Sequence, residues 1–125
     1  MYYIIKFKEN KSYLSFIVDR DDNEVVITYL FVEEEDRGKG LAMGMMWYLY
    51  DYISEYFPSI NKITWTDCSD KFKKNDNLYI KVGAEYIEDG YPEMVWIIGL
   101  KNVKEKREKY KGEFDKYLNL IRLKK

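Results

Sequence analysis

The chain has 125 residues, 46% of them hydrophobic and 18% aromatic, with thirteen tyrosines and a formal net charge of −1. That length suits one domain with its own apolar core, and the composition is too rich in large side chains for a disordered segment. The lack of histidine and the single cysteine, Cys68, exclude an internal disulfide framework, histidine-based triads and ordinary zinc chemistry.

Residues 2 to 8 (YYIIKFK), 12 to 19 (SYLSFIVD) and 24 to 33 (EVVITYLFVE) are rich in Ile, Val, Tyr and Phe, which suit a pleated, half-buried surface. Lys6 and Lys8 fall where the apolar core of a secretory leader would have to run, and no apolar stretch is long enough to cross a bilayer. The expectation is a soluble, cytoplasmic protein that engages no membrane. The links ENK and RDDN are short and polar, so the three runs read as consecutive antiparallel strands joined by hairpins.

The stretch VEEEDRGKGLAMGM, residues 32 to 45, then sets three of the chain's seven glycines between the last of these strands and a helix. Leu41, Ala42, Met45, Met46, Leu49, Ile53 and Tyr56 recur at helical spacing, and Pro58 closes the segment. Residues 62 to 68 (KITWTDC) alternate as a strand, expected to run parallel to the one before the helix. Residues 71 to 82 carry Phe72, Leu78, Tyr79 and Val82 on a second helix that stops at Gly83. AEYIE and EMVWIIGL flank the turn DGYP as a terminal hairpin. The order is three strands, helix, strand, helix, two strands: an α/β domain over residues 1–100, with a mixed sheet flanked by helices.

From Asn102 to Leu123 a last helix is expected, with Val103, Tyr110, Tyr117 and Arg107, Phe114, Ile121 at seven-residue intervals. Its apolar stripe must be covered, either by packing on the domain or by a partner subunit in a homodimer. Residues 1–100 carry 11 basic and 18 acidic side chains, a net of −7, whereas residues 101–125 carry 10 and 4, a net of +6. An acidic body argues against nucleic acid as a partner and suits a cationic small molecule or peptide. The mixed charges of the tail read as the wet side of its helix.

A glycine-rich turn between a strand and a helix lets backbone N–H groups converge at the helix start, where the macrodipole adds partial positive charge. That geometry suits a phosphate group. A kinase-type phosphate loop is excluded, because Gly40 is followed by Leu41 and Ala42, with no lysine and hydroxyl in the required places. A dinucleotide fingerprint fails at Met43, where its third glycine would stand. What remains is metal-independent pyrophosphate binding by backbone amides.

Arg37, Gly40 and Ala42 satisfy the pattern RxxGx(G/A), which resembles the acyl-coenzyme A motif of the GCN5-related N-acetyltransferases (GNAT). Downstream, NLYIKVGAEY, residues 77 to 86, is similar to the LYxKxGF signature of the same superfamily. The resemblance covers roughly residues 12 to 98 and implies a GNAT-like fold with an additional C-terminal helix. It implies acetyl-CoA as co-substrate, no metal, and an amine acceptor. The amides of Arg37, Gly38, Lys39, Gly40, Leu41 and Ala42 would hold the pyrophosphate, with Arg37 and Lys39 adding charge. The strand carrying Leu30, Phe31 and Val32 would splay from its parallel neighbour and pair with the pantetheine amides.

An alkyl amine with a reference pKa of about 10.4 must lose a proton before it attacks, and a thiolate leaving group of about 8.5 must regain one. Tyr79 aligns with the family position that often donates to the sulfur. For the base, Glu33, Glu34, Asp67 and Asp70 lie near the expected cleft, and Glu33 is the choice. Cys68, at a strand end, is either an acyl acceptor or an inert buried thiol. The sequence departs from the family at Phe72, where an asparagine is frequent, at Asn75, where alanine is usual, and at Ala84, where an aromatic is usual. Asn75 or Asn77 would replace the lost amide contact. Members also begin with a strand and two helices that wall the acceptor pocket, for which the first ten residues leave no room. The expected function is acetyl transfer to a small-molecule or peptide primary amine by direct attack on the thioester, the alternative a noncatalytic CoA-binding or protein-interaction module.

Overall fold

The structure, a computed structural model, describes residues 2–60, 62–67, 82, 85–90, 93–99 and 104–124. Three strands, β1 (Tyr2–Phe7), β2 (Tyr13–Asp19) and β3 (Glu24–Phe31), lead through one 3-10 turn at Glu34–Asp36 into helix α1 (Leu41–Tyr56). Strands β4 (Lys62–Asp67), β5 (Glu85–Gly90) and β6 (Glu93–Gly99) follow, then helix α2 (Lys104–Leu118) and strand β7 (Ile121–Lys124). They form one seven-stranded sheet in the order β5-β6-β4-β3-β2-β1-β7. β3 and β4 are parallel, joined by the α1 crossover, and every other neighbouring pair is antiparallel. Among the described residues no helix is long and apolar enough to cross a membrane.

Strand alternation places the core. Tyr3, Ile5 and Phe7 of β1, Leu14, Phe16 and Val18 of β2, Val25 and Ile27 of β3, and Ile63 and Trp65 of β4 are all buried. Tyr3 stacks on Phe16 with ring centroids 5.1 Å apart. The β2–β3 turn is held by Asp19 Oδ1, which accepts from the amides of Asp21 and Asp22, and by Asn23 at φ 55°. Asparagine tolerates this left-handed conformation better than most residues.

Helix α1 is buried on more than the face that its periodicity announces. Leu41, Met45, Met46, Leu49 and Ile53 are fully buried, but so are Trp47 and, nearly, Met43 and Tyr50, while Tyr56 at its end is 61% exposed. The second covered face meets α2: Trp47 stacks on Phe114 at 5.9 Å, and Arg107 bonds Asp51 at 2.7 Å. A helix enclosed from two sides loses the clean apolar stripe of a surface helix.

The C-terminal helix stops at Leu118, five residues before the end expected from its spacing, and Ile121–Lys124 forms a strand instead. β7 pairs with β1 from Phe7↔Ile121 to Ile4↔Lys124. Ile121 and Leu123, two apart, stand opposite Phe7 and Ile5, so a strand seats both on the core side. It also supplies partners to backbone groups at the edge of β1, since Lys8 N–H donates to Leu120 O at 2.8 Å. The amide of Leu123 donates to the Tyr48 hydroxyl on α1 at 3.2 Å. The helix expected over residues 71 to 82 lies outside the described residues except for Val82, a buried residue whose carbonyl accepts from the Tyr50 hydroxyl.

If β7 is integral to the sheet, truncating its buried anchor by Ile121→Ala should lower unfolding stability by about 2–4 kcal/mol in urea titration. A loss below about 0.5 kcal/mol, the scale of surface substitutions, would show that the strand is not seated there.

Candidate functional site

The parallel strands at the centre of the sheet part company. β3 pairs with β4 only from Glu24↔Lys62 to Ile27↔Trp65, although β3 continues to Phe31 and β4 to Asp67. The cause is local. In the β2–β3 register, Ser15 faces Tyr29 while Phe16 faces Ile27, which makes Thr28 the extra residue of a β-bulge. A bulge bends its strand and increases the twist. The Ser15 and Thr28 hydroxyls, 2.7 Å apart, hydrogen-bond across it. Beyond the bulge β3 stays with β2 through Leu14↔Leu30 and Tyr13↔Phe31, so among the described residues the divergence leaves one backbone edge of its last residues without a strand partner. Leu30, Phe31 and Val32 are half-buried there, and Phe31 packs on Tyr13 at 6.2 Å.

The chain then enters a tightly held loop. Arg37 Nε donates to Val32 O at 2.9 Å, tying the two ends of the 3-10 turn while the side chain stays exposed. Gly38 and Gly40 take φ of +75° and +97°, left-handed conformations that glycine adopts without a Cβ penalty. Gly40 is the N-cap of α1, has no side chain to cap it, and its carbonyl accepts from Gly44 N–H at 2.9 Å. Among the described residues no hydrogen bond engages the amides of Gly38, Lys39, Gly40, Leu41 or Ala42. Unspent N–H groups at a helix start, with the macrodipole behind them, are what an anion needs. Lys39 is exposed beside them, and Leu41 turns its side chain into the core.

Gly40 meets a second demand that the sequence reading did not contain. A Cβ at that position would overlap the backbone carbonyl of Glu113 in α2, whereas one at Gly38 would meet nothing. The absence of a side chain at Gly40 therefore serves the approach of the C-terminal helix as well as the turn.

Asn10, in the polar hairpin link, and Ser12, at the start of the second apolar run, also belong to the site's frame. Asn10 Nδ2 donates to Asp36 Oδ2 at 2.6 Å and to Glu35 Oε1 at 3.1 Å, and Asn10 Oδ1 accepts from Ser12 N–H. Ser12, fully buried, accepts the Glu33 amide on its hydroxyl at 2.9 Å. An asparagine in the link and a serine opening the next run are the trace this leaves in the sequence. Glu33, half-buried, lines an open groove of about 720 Å³ with Asn10, Lys11, Glu34 and Glu35. Tyr79, Asn75, Asn77, Cys68 and Asp70 lie outside the described residues.

The fold has counterparts among solved structures. The chain is similar to a GNAT-family acetyltransferase from Staphylococcus aureus, with TM-score 0.58 and 17% identity over 72% of this chain and 60% of that one. It is similar to the ribosomal-protein-S18-alanine N-acetyltransferase from Escherichia coli, with TM-score 0.61 and 10% identity over 78% and 69%. A third neighbour is Escherichia coli ElaA, with TM-score 0.56 and 20% identity over 77% and 66%. This chain thus spans about three fifths of the staphylococcal structure's length. In sequence, no family model and no curated protein matches it. The fold is that of the GCN5-related N-acetyltransferases.

The two loop glycines should respond differently to a methyl group. Gly38→Ala, strained in φ but with open space around it, should cost about 1 kcal/mol, and Gly40→Ala, strained and overlapping a backbone carbonyl, at least about 2–3 kcal/mol. Thermal unfolding of the pair checks this, and equal losses would contradict the close approach of α2.

Proposed function

We propose that the chain is a short, divergent member of the GNAT superfamily that transfers an acetyl group from acetyl-CoA to a primary amine of a small molecule or peptide. The observation that carries this reading is the parting of β3 from β4 directly before a glycine loop whose amides are unspent at a helix start. The fit is chemical on both limbs. The loop amides of residues 38–42 suit a diphosphate, with Arg37 and Lys39 adding charge, whereas the Arg37 amide, expected among these donors, is taken by the Glu34 carbonyl at 3.2 Å as the cap of the 3-10 turn; the edge at Leu30, Phe31 and Val32 suits the amides of a pantetheine arm. Bound there, the coenzyme supplies an activated acyl thioester.

The chain's own groups have the following roles. A backbone N–H on the parted edge of β3 stabilises negative charge on a carbonyl oxygen placed against it. Glu33, in its groove, takes the proton from the ammonium of the acceptor, directly or through a water. Tyr79 returns a proton to the departing sulfur, and Asn75 or Asn77 holds the coenzyme; these three assignments rest on the resemblance of NLYIKVGAEY to the family signature. The carboxylates of Glu33, Glu34 and Glu35 around one groove favour a cationic acceptor. The reading needs no metal.

Titration calorimetry with acetyl-CoA, followed by turnover against polyamines, aminoglycosides and lysine peptides, tests the proposal. Acetyl-CoA should bind, at least one amine class should be acetylated, and Tyr79→Phe should lower kcat about 10²-fold with coenzyme affinity nearly unchanged. Coenzyme binding without turnover on any amine would replace the enzyme by a noncatalytic binding module. Absence of binding would end both readings.

A further inference from the structure

The C-terminal segment touches the candidate loop through backbone rather than through side chains alone. Glu113 lays its carbonyl where Gly40 would carry a Cβ, and one turn on, Gly44 receives the Tyr117 Cβ and the Ile121 Cδ1, each 3.4 Å from its own Cβ position. The two glycines make a flat seat at the start of α1, and α2 lies in it. Phe114 is the anchor: it is fully buried, stacks on Trp47, and carries the Arg107 guanidinium 5.8 Å from its ring centre, with Arg107 in turn bonded to Asp51. Tyr117 meets the edge of Phe7 at 5.8 Å. Burial, then the charges of Asp36 and Glu9, push the Tyr117 phenol up. α2 therefore bears on the end of the loop where α1 begins, Glu113 against Gly40 and Tyr117 against Gly44.

We infer that the α2–β7 segment positions the glycine loop, so that docking of this segment and binding of a diphosphate ligand on the loop amides stabilise one another. The clause about the ligand rests on the coenzyme reading above; the positioning of the loop does not. The physical argument is conformational. Two glycines within three residues give Arg37–Gly40 wide backbone freedom, and convergent amides are only one of its states. A carbonyl packed against the Gly40 Cα removes the space into which that residue would rotate, which pre-organises the donors before any ligand arrives. α2 is itself a marginal helix: fifteen residues, densely charged, with Gly112 in its interior. Its order derives from the contacts of Phe114, Tyr117 and Ile121, so it opens at lower cost than the sheet. Whatever stabilises one of the two partners must then stabilise the other by the same factor.

Backbone 15N relaxation, with amide hydrogen exchange for the helix and strand, is the test, with Phe114 as a positioning residue. In ligand-free protein, Phe114→Ala should drop the order parameters of residues 38–43 from about 0.85 to below about 0.6 while those of β2 and β3 change far less, and Phe114→Leu should restore most of the order. In the unaltered chain, saturating CoA should slow exchange across α2 and β7, and Phe114→Ala should weaken CoA binding about tenfold. Should Phe114→Ala not fold, Arg107→Gln, at the half-exposed pair with Asp51, should give a smaller fall in the same loop order parameters. Unchanged loop order in a folded variant, or a fall spread evenly over the whole chain, overturns the inference. Failure of CoA to bind the unaltered chain overturns the coenzyme reading alone, and the ligand-free relaxation still decides the positioning.

Discussion

Backbone hydrogen-bonding capacity left unspent at one end of the sheet is the constraint on which this structure turns. A buried or half-buried N–H group without an acceptor costs free energy, and folded chains rarely leave several together without a purpose. Among the described residues, backbone groups without a protein partner, some half-buried and some exposed, gather in two places that adjoin. β3 outruns its pairing with β4 by four residues, and α1 begins on a glycine that offers no capping side chain. The bulge at Thr28 causes the first, and the left-handed glycines Gly38 and Gly40 permit the second. Between them, Asn10, Ser12 and the Arg37 Nε hold the intervening turn in place.

Around that site the fold is packed differently on its two sides. The β1–β2–β3 meander is packed by an aromatic cluster of Tyr3, Phe16, Tyr52 and Phe57, with ring centroids 5.1 to 6.4 Å apart. The C-terminal segment, in contrast, is attached by a few buried residues and a four-residue edge strand. It supplies a helix over α1 and a strand beside β1. The apolar stripe through Phe114, Tyr117 and Ile121 that demanded a cover in the sequence finds it within the chain.

Much of this was legible in the sequence because the signals were local. The first three strands, α1 to within a residue, the parallel β4 and the β5–β6 hairpin follow from β-branched and aromatic runs, helical spacing and polar turns. The loop glycines were legible as glycines, but only one of their reasons was. Nothing within VEEEDRGKGLAMGM announces that Glu113, more than seventy positions away, will lie against Gly40. β7 was hidden because IRLK is too short to stand against the helical pattern running into it, and its pairing depends on an open β1 edge that only the assembled sheet reveals. The burial of Trp47 and Tyr50 escaped the periodicity for the same reason, since α2 covers a face that a single helix-on-sheet layer would leave wet. Glu33 was placed by sequence and lines a groove; Tyr79, Asn75 and Asn77 belong to a segment on which the described residues say nothing.

The most direct measurement is a two-dimensional amide NMR titration of the isotopically labelled chain with acetyl-CoA. The account requires the largest shifts at the N–H groups of Gly38 to Ala42, together with a second set at Leu30, Phe31 and Val32 on the parted edge of β3. Shifts centred elsewhere, for example on the groove lined by Arg20, Tyr56 and Phe57 at the opposite end of β3, or no shifts at saturating coenzyme, would contradict it.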